Sequence, residues 1–197
     1  RCIRDRYGDG PIAGRTVLVT GGAGAVGHYA VQLAKWGGAR VIATVSSALK
    51  GEQARLAGAD LVIDYKTEDV VAKAMAFTEG RGVDRVVDVD FGGNIATTLK
   101  LMAMNSTIAV YATQGNRSPV VPMRELMERC IALRALVLFA LPQPLLAAAQ
   151  ADISKWLAAG KRLHNIAAQF PLSETAQAHL AVEKGDKLGT VVVDCAG

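Results

Sequence analysis

The stretch Thr16-Val-Leu-Val-Thr-Gly-Gly-Ala-Gly-Ala-Val-Gly27 limits what this chain can fold into more than any other. Apolar and β-branched residues run directly into a loop in which Gly22, Gly24 and Gly27 satisfy G-x-G-x-x-G, and a helix-like segment at 26–36 follows. Strand, glycine loop and helix in that order open a βαβ unit suited to a dinucleotide. The three glycines have separate expected roles. Gly22 permits the tight turn, Gly24 lets a pyrophosphate reach the backbone, and Gly27 lets the helix pack on the strand. The N–H groups of Gly24, Ala25, Val26 and Gly27 would then meet the phosphates, with help from the helix dipole.

Further β-rich runs at 41–45, 61–64, 86–89, 107–110 and from Arg134 onward alternate with helix-like segments such as 49–57 and 68–78. The runs are nearly continuous in apolar residues rather than alternating, which predicts strands covered on both faces. The expected class is α/β, a Rossmann-type doubly wound parallel sheet. Beyond the sixth strand the pattern changes to a helix at 145–159, a strand at 164–172, a helix at 173–184 and a last β-run at 190–195. These two late strands have no evident place in the parallel sheet, and a boundary is expected near Lys161.

Composition narrows the functional classes. With 197 residues, 51% hydrophobic and 20% charged, the chain is neither disordered nor a small disulfide scaffold. Its 22 basic and 18 acidic residues leave a charge of +4 with no basic block, so no nucleic-acid partner is expected. Cys2, Cys130 and Cys195 form no CxxC pair, and His28, His164 and His179 have no metal-ligand spacing, so no metal site is expected and a reducing cytoplasm fits. The most apolar stretch, 130–146, is broken by Arg134, Pro142 and Pro144; it reads as a buried strand rather than a membrane span. No Gly-x-Ser-x-Gly elbow is present. Asp64, Asp88 and Asp90 fall at strand ends, and none is assigned to catalysis. His28 reads as a partly exposed helix histidine, and 184–187 as a solvated turn.

The second strand carries information about the cofactor. An NAD site places a carboxylate about 20 residues after the glycines. Here the window reads Thr44-Val-Ser-Ser-Ala-Leu-Lys50, with no acid before Glu52. If Ser46 or Ser47 caps the next helix, Lys50 enters its first turn, where a cation opposes the dipole by about 0.3–1 kcal/mol. A 2′-phosphate bound by Ser46, Ser47 and Lys50 would explain the lysine, each charged contact contributing about 1.5–3 kcal/mol. The plainer alternative is an ordinary solvated helix lysine.

Val17-Leu-Val-Thr-Gly-Gly-Ala-Gly-Ala-Val-Gly-His-Tyr-Ala-Val-Gln-Leu-Ala-Lys35, followed by Ala57-Gly-Ala-Asp60 and Val62-Ile-Asp-Tyr65, resembles the NADPH:quinone oxidoreductase branch, including zeta-crystallin, of the medium-chain dehydrogenase/reductases. The resemblance covers nearly the whole chain. It implies strand order 3-2-1-4-5-6 and NADPH as cofactor, with pyrophosphate on the backbone from Gly24 to Gly27. Ser46, Ser47, Lys50 and Tyr65 would surround the 2′-phosphate. Asp90 and residues 111–113, Tyr111 and Thr113 among them, would approach the nicotinamide ribose. Residues 137–139, ending in Phe139, would lie near the nicotinamide. It further implies zinc-independent hydride transfer to a quinone or enone acceptor.

Departures from the family pattern are also visible. Asp88-Val-Asp-Phe-Gly-Gly93 puts Asp90 where relatives have a small or apolar residue, Tyr111-Ala112 stands where glycine is usual, and Gly189-Thr190 replaces a Gly-Lys pair. Relatives carry a GroES-like catalytic domain before the cofactor domain. The expected layout is therefore 1–15 as a connection, 16–161 as the NADP-binding domain, and 162–197 returning to the catalytic domain. On that layout the chain alone should bind NADPH but turn over little quinone. Its edge strand at 134–141 should pair in a homodimer.

Two alternatives remain. One is a non-enzymatic NADPH-binding module. The other, an extended short-chain dehydrogenase, needs Tyr-x-x-x-Lys, whereas Tyr7, Tyr29, Tyr65 and Tyr111 are followed four residues later by Pro11, Leu33, Asp69 and Gly115.

Overall fold

The computed structural model describes residues 11–160, 162–185 and 187–195. Most of the expected 1–15 connection, Cys2 and the expected boundary at Lys161 lie outside the described residues. Six strands form one parallel sheet: β1 (Thr16–Val19), β2 (Arg40–Val45), β3 (Leu61–Asp64), β4 (Val83–Asp88), β5 (Met102–Val110) and β6 (Ala132–Ala135). Their order is β3-β2-β1-β4-β5-β6, as expected. Val17 pairs with Val41 on one side and Arg85 on the other, so the order reverses between β1 and β4. Ligands of such sheets bind at that reversal, beyond the carboxyl ends of the strands.

The β-branched runs form strands because their side chains are buried on both faces. One apolar cluster packs Val17, Val19, Val41 and Ala43 against Val31 and Ala34 of α1 (Gly27–Trp36) and Ala54 of α2 (Ala48–Leu56). The other packs Leu18, Ile42, Val86 and Ile108 against Ala74 of α3 (Val70–Phe77) and Ile95 and Leu99 of α4 (Phe91–Leu101). Adjacent residues such as Val17 and Leu18 thus serve opposite cores, which is why the strands read as unbroken apolar runs. Each buried aliphatic side chain stabilises the fold by roughly 1.5–3 kcal/mol. Local signals set the helix starts: Ser47 caps α2 by accepting from the Lys50 N–H, and Asp69 caps α3 by accepting from the Ala72 N–H.

The sixth strand differs from its expectation at 134–141. It runs from Ala132 to Ala135, and the Leu136 N–H makes one more bond to the Val110 carbonyl. Because β5 ends at Val110, later residues have no neighbour to continue the ladder, and Leu138–Ala140 form a 3-10 turn instead. A short helix, α5 (Met123–Glu128), precedes β6, and α6 (Gln143–Ala158) follows with a proline in its first turn.

The late strands, β7 (Ile166–Pro171) and β8 (Thr190–Asp194), pair in parallel with each other and stay outside the main sheet. Helix α7 (Thr175–Glu183) is their crossover. The expectation for both is displacement, fraying or pairing with another chain; instead they pair with each other within the chain. Backbone contacts tie this unit to α1. The His28 ring donates from Nε2 to the Leu163 carbonyl at 2.8 Å, and Gln32 both donates to that carbonyl and accepts the Leu163 N–H.

Candidate functional site

The glycine loop occupies the mouth between β1 and β4, but its glycines divide the work differently from the sequence expectation. The left-handed residue in the turn is Gly21, with φ +64°, and not Gly22. Gly22 is needed for packing: a Cβ there would lie 2.6 Å from the Ala43 Cβ on β2. A Cβ on Gly27 would come within 2.2 Å of the Gly21 carbonyl oxygen, so its absence lets α1 begin directly over the loop. Thr44 of β2 holds the loop from below, its carbonyl accepting the Gly22 N–H at 3.0 Å.

Gly24 donates its N–H to the Gly21 carbonyl, so this group closes the turn and is not one of the free donors. The N–H groups of Ala25, Val26 and Gly27 have no acceptor among the described residues, and the first turn of α1 contains no acidic residue. Three open donors at a helix N-terminus make a ready cradle for phosphate oxygens.

Beside this cradle lies a cavity of about 320 Å³, bordered by Gly24, Ala25, Ser46, Lys50, Tyr65 and Lys187. Lys50 donates from Nζ to the Ser46 hydroxyl at 3.1 Å, which aims the ammonium at the end of β2. Ser47 is used as the helix cap and does not border the cavity. Tyr65 is half exposed above it. No carboxylate lines this cavity among the described residues. Two lysines, two hydroxyls and open N–H groups form a donor set that fits a phosphorylated dinucleotide.

Lys187 is the cavity-lining cation that sequence reasoning missed. The turn expected to be solvated instead brings it to the cavity, because β8 pairs beside β7 and the Thr190 N–H bonds to the Asn165 carbonyl. Gly189 permits that approach: it has φ +112°, and a Cβ there would lie 2.4 Å from the Asn165 oxygen. Sequence distance hid the lysine; the available clue was a cation close before a final β-run.

On the β4 side, Asp88 is fully buried and joins the loop to α4. Its Oδ1 accepts from the Thr20 hydroxyl at 3.0 Å, the Asp90 N–H at 3.0 Å and the Asn94 amide at 2.7 Å. Its Oδ2 is buried without a protein donor among the described residues. A second cavity, of about 430 Å³, opens here between Thr20, Thr44, Tyr65, Asp90, Asn94 and Thr97. It shares Gly21, Tyr65 and Val89 with the cavity beside the glycine loop, so the two form one trough. Thr113 accepts the Gly92 N–H and donates to the Asn116 carbonyl, closing the β5 loop onto α4.

The third part is an apolar groove of about 900 Å³ that begins at Ala25 and Val26 and runs past Tyr29, Tyr111, Phe139 and Trp156. Phe139 is 94% exposed at its rim. Burial, and secondarily the charge of Asp88, push the Tyr111 hydroxyl up to about 12, so it stays protonated as a donor. His28 is buried at 1% exposure, not the partly exposed histidine expected, and it does not border the cavity beside the glycine loop. Among the described residues no three His, Cys, Asp or Glu side chains are grouped to hold a metal ion, and no helix is long and apolar enough to cross a membrane.

Residues 25–151 match the family model described as zinc-binding dehydrogenase. The chain is 29% identical over 184 residues to a 2-haloacrylate reductase of Burkholderia sp, covering 91% of this chain and 55% of that protein. It is 28% identical over 185 residues to a probable quinone oxidoreductase of Schizosaccharomyces pombe, covering 92% and 55%. Among solved structures, a 2-haloacrylate reductase superposes with TM-score 0.86 at 26% identity, over 100% of this chain and 62% of that one. A mycobacterial protein complexed with NADPH superposes with TM-score 0.83 at 27% identity, over 97% and 60%. The chain thus spans little more than half the length of the curated relatives it matches. The zinc named in the family description finds no ligand set among the described residues. Sheet order, glycine loop and matched sequence agree: this chain belongs to the zinc-binding dehydrogenase family, as the cofactor-binding part of a medium-chain dehydrogenase/reductase.

Proposed function

We propose that the chain is the NADPH-binding domain of a zinc-independent oxidoreductase that reduces quinones or enones. The observation that carries this reading is the convergence of Ser46, Lys50, Tyr65 and Lys187 beside the open N–H groups of Ala25, Val26 and Gly27. A 2′-phosphate is the part of NADPH that such a donor set distinguishes from NADH. When bound, the reduced nicotinamide supplies a hydride to an electron-poor acceptor. The residues of this chain bind and orient: the glycine loop takes the pyrophosphate, Asp90 and Thr113 shape the wall beside the nicotinamide ribose, and Tyr111 with Phe139 gives the nicotinamide an apolar side that excludes water. The name of the Burkholderia relative, a 2-haloacrylate reductase, supports an electron-poor alkene as acceptor class.

The domain layout belongs to the same proposal. Residues 1–15 connect from a catalytic domain, 16–161 bind the cofactor, and 162–197 return to the catalytic domain, which the open β7–β8 pair supports. The outer edge of β6 joins two copies in a homodimer, and the protein works in the cytoplasm on a small-molecule acceptor. Calorimetry with NADPH and NADH tests the cofactor, with NADPH expected to bind more tightly. Stopped-flow oxidation of NADPH by several quinones, for this chain beside a version extended upstream, tests the rest. The extended version is expected to be far faster, since a well-held acceptor is worth roughly 7–11 kcal/mol of barrier. Equal kcat/KM for the two would overturn the two-domain reading, and no turnover by either would leave a binding module.

A further inference from the structure

Asp90 stands at the start of α4, yet its side chain makes no capping bond to its own helix. Its Oδ1 instead crosses to the β5 loop and accepts the Gly115 N–H at 2.9 Å. The surrounding residues are shaped for this crossing. A Cβ on Gly93 or on Gly115 would lie 2.5 Å from the Asp90 Oδ2, and a Cβ on Gly92 would lie 1.9 Å from the Asn116 carbonyl oxygen. Neither Gly93 nor Gly115 has a left-handed φ, so their lack of a side chain serves space rather than backbone conformation. The first turn of α4 is closed by the same loop: the Phe91 N–H donates to the Ala112 carbonyl and the Gly92 N–H to the Thr113 hydroxyl. Three glycines, one carboxylate and one hydroxyl therefore fit two loops together at the edge of the trough, where Asp90 borders the cavity that continues into the one beside the glycine loop.

We propose that Asp90 is a positioning residue for the cofactor: its carboxylate straps the β5 loop to the head of α4, so that this wall of the trough is ordered before a dinucleotide arrives. The proposal rests on the cofactor reading above. Through the Asp90 N–H the strap also meets Asp88, and through Asp88 the glycine loop at Thr20, so both walls share one hydrogen-bond network. A preordered wall lowers the entropy lost on binding; an unstrapped one must be ordered by the ligand.

The test uses the full chain and needs no turnover. In D90A, amide exchange at Gly115 should quicken at least tenfold and the Kd for NADPH should rise roughly fivefold to twentyfold, the cost of ordering one loop. D90N keeps an oxygen acceptor and should recover most of both. Glycine-to-alanine changes inside helices normally stabilise, but G93A should lower Tm in the wild type, where the new methyl meets Asp90, and raise it in the D90A background. That reversal of sign identifies the contact independently of any ligand. Unchanged Gly115 exchange in D90A, or G93A acting alike in both backgrounds, overturns the strap. Faster exchange with an unchanged Kd overturns its role for the cofactor. Failure of the wild type to bind NADPH overturns the cofactor reading itself and is seen before any variant is made.

Discussion

The six-stranded body and the β7–α7–β8 unit are built from the same parts with opposite results. Each is a set of parallel strands with helical crossovers. In the body, every residue of β1 and nearly every residue of β2 is buried. In the small unit, no residue of β7 or β8 is buried, and Ile166 is 58% exposed. The difference lies in the layers: the body has helices on both faces, whereas among the described residues the α-helix packed on both small strands is α7. Parallel sheets are stable when both faces are covered, so the small pair is the region that most needs a neighbour.

The largest effect expected from this contrast is on stability. Ile108→Ala in β5 removes a fully buried side chain and should cost about 2–5 kcal/mol in urea unfolding. Val192→Ala in β8 should cost under about 1 kcal/mol in the same measurement. Equal losses would mean that β8 is covered as thoroughly as β5, which would break the comparison.

A second pair of changes asks whether the small unit shares the body's site. Lys50 belongs to α2 and Lys187 to the turn before β8, yet both border one cavity. Lys50→Ala should weaken NADPH by about 1.5–3 kcal/mol, roughly ten- to a hundredfold, with NADH nearly unchanged. Lys187→Ala should lose less but show the same preference, and added salt should weaken NADPH more than NADH. Calorimetry that finds Lys187→Ala without effect on either cofactor would detach the small unit from the site.

Smaller effects should come from the clamp between the two regions and from Tyr111. Gln32→Ala removes two hydrogen bonds to the Leu163 backbone, and at about 0.5–1.5 kcal/mol each their loss should speed amide exchange in β7 and β8 while leaving β1 protected. Tyr111 keeps its proton to about 12 in the fold, against 10.0 for an ordinary tyrosine, chiefly through burial. The folded state then holds more protons in that window, so the stability present below pH 10 is lost as pH rises toward 12. Tyr111→Phe should flatten that part of the pH–stability curve; an unchanged slope would place the titration elsewhere.

The positions of β1 to β4, the later half of β5 and the helices between them were legible because each run had to be apolar for two cores at once; β5 begins earlier, at Met102, and the strand order came from the family resemblance rather than from the runs. The end of β6 was not, because its apolar run continues to Leu141 while the neighbouring strand stops at Val110. Lys50 and Ser46 were legible because cavity and cap lie within a few residues of the glycine loop's partner strand. Lys187 was not, since it comes from far along the chain. His28 reads as a partly exposed helix histidine, and its burial, with its ring bonded to the Leu163 carbonyl, comes from a segment far along the chain.

The sequence by itself determined the sheet class, the glycine loop and one basic residue of the cavity beside that loop, since periodicity, missing side chains and helix caps act over a single βαβ unit. Tertiary structure alone decided which glycine turns and which packs, that Asp90 bridges to Gly115, and that Lys187 joins Lys50. These facts depend on which backbone lies within a few ångströms of which side chain, and chain segments far apart in sequence set that distance only when the sheet order and its covering layers are complete.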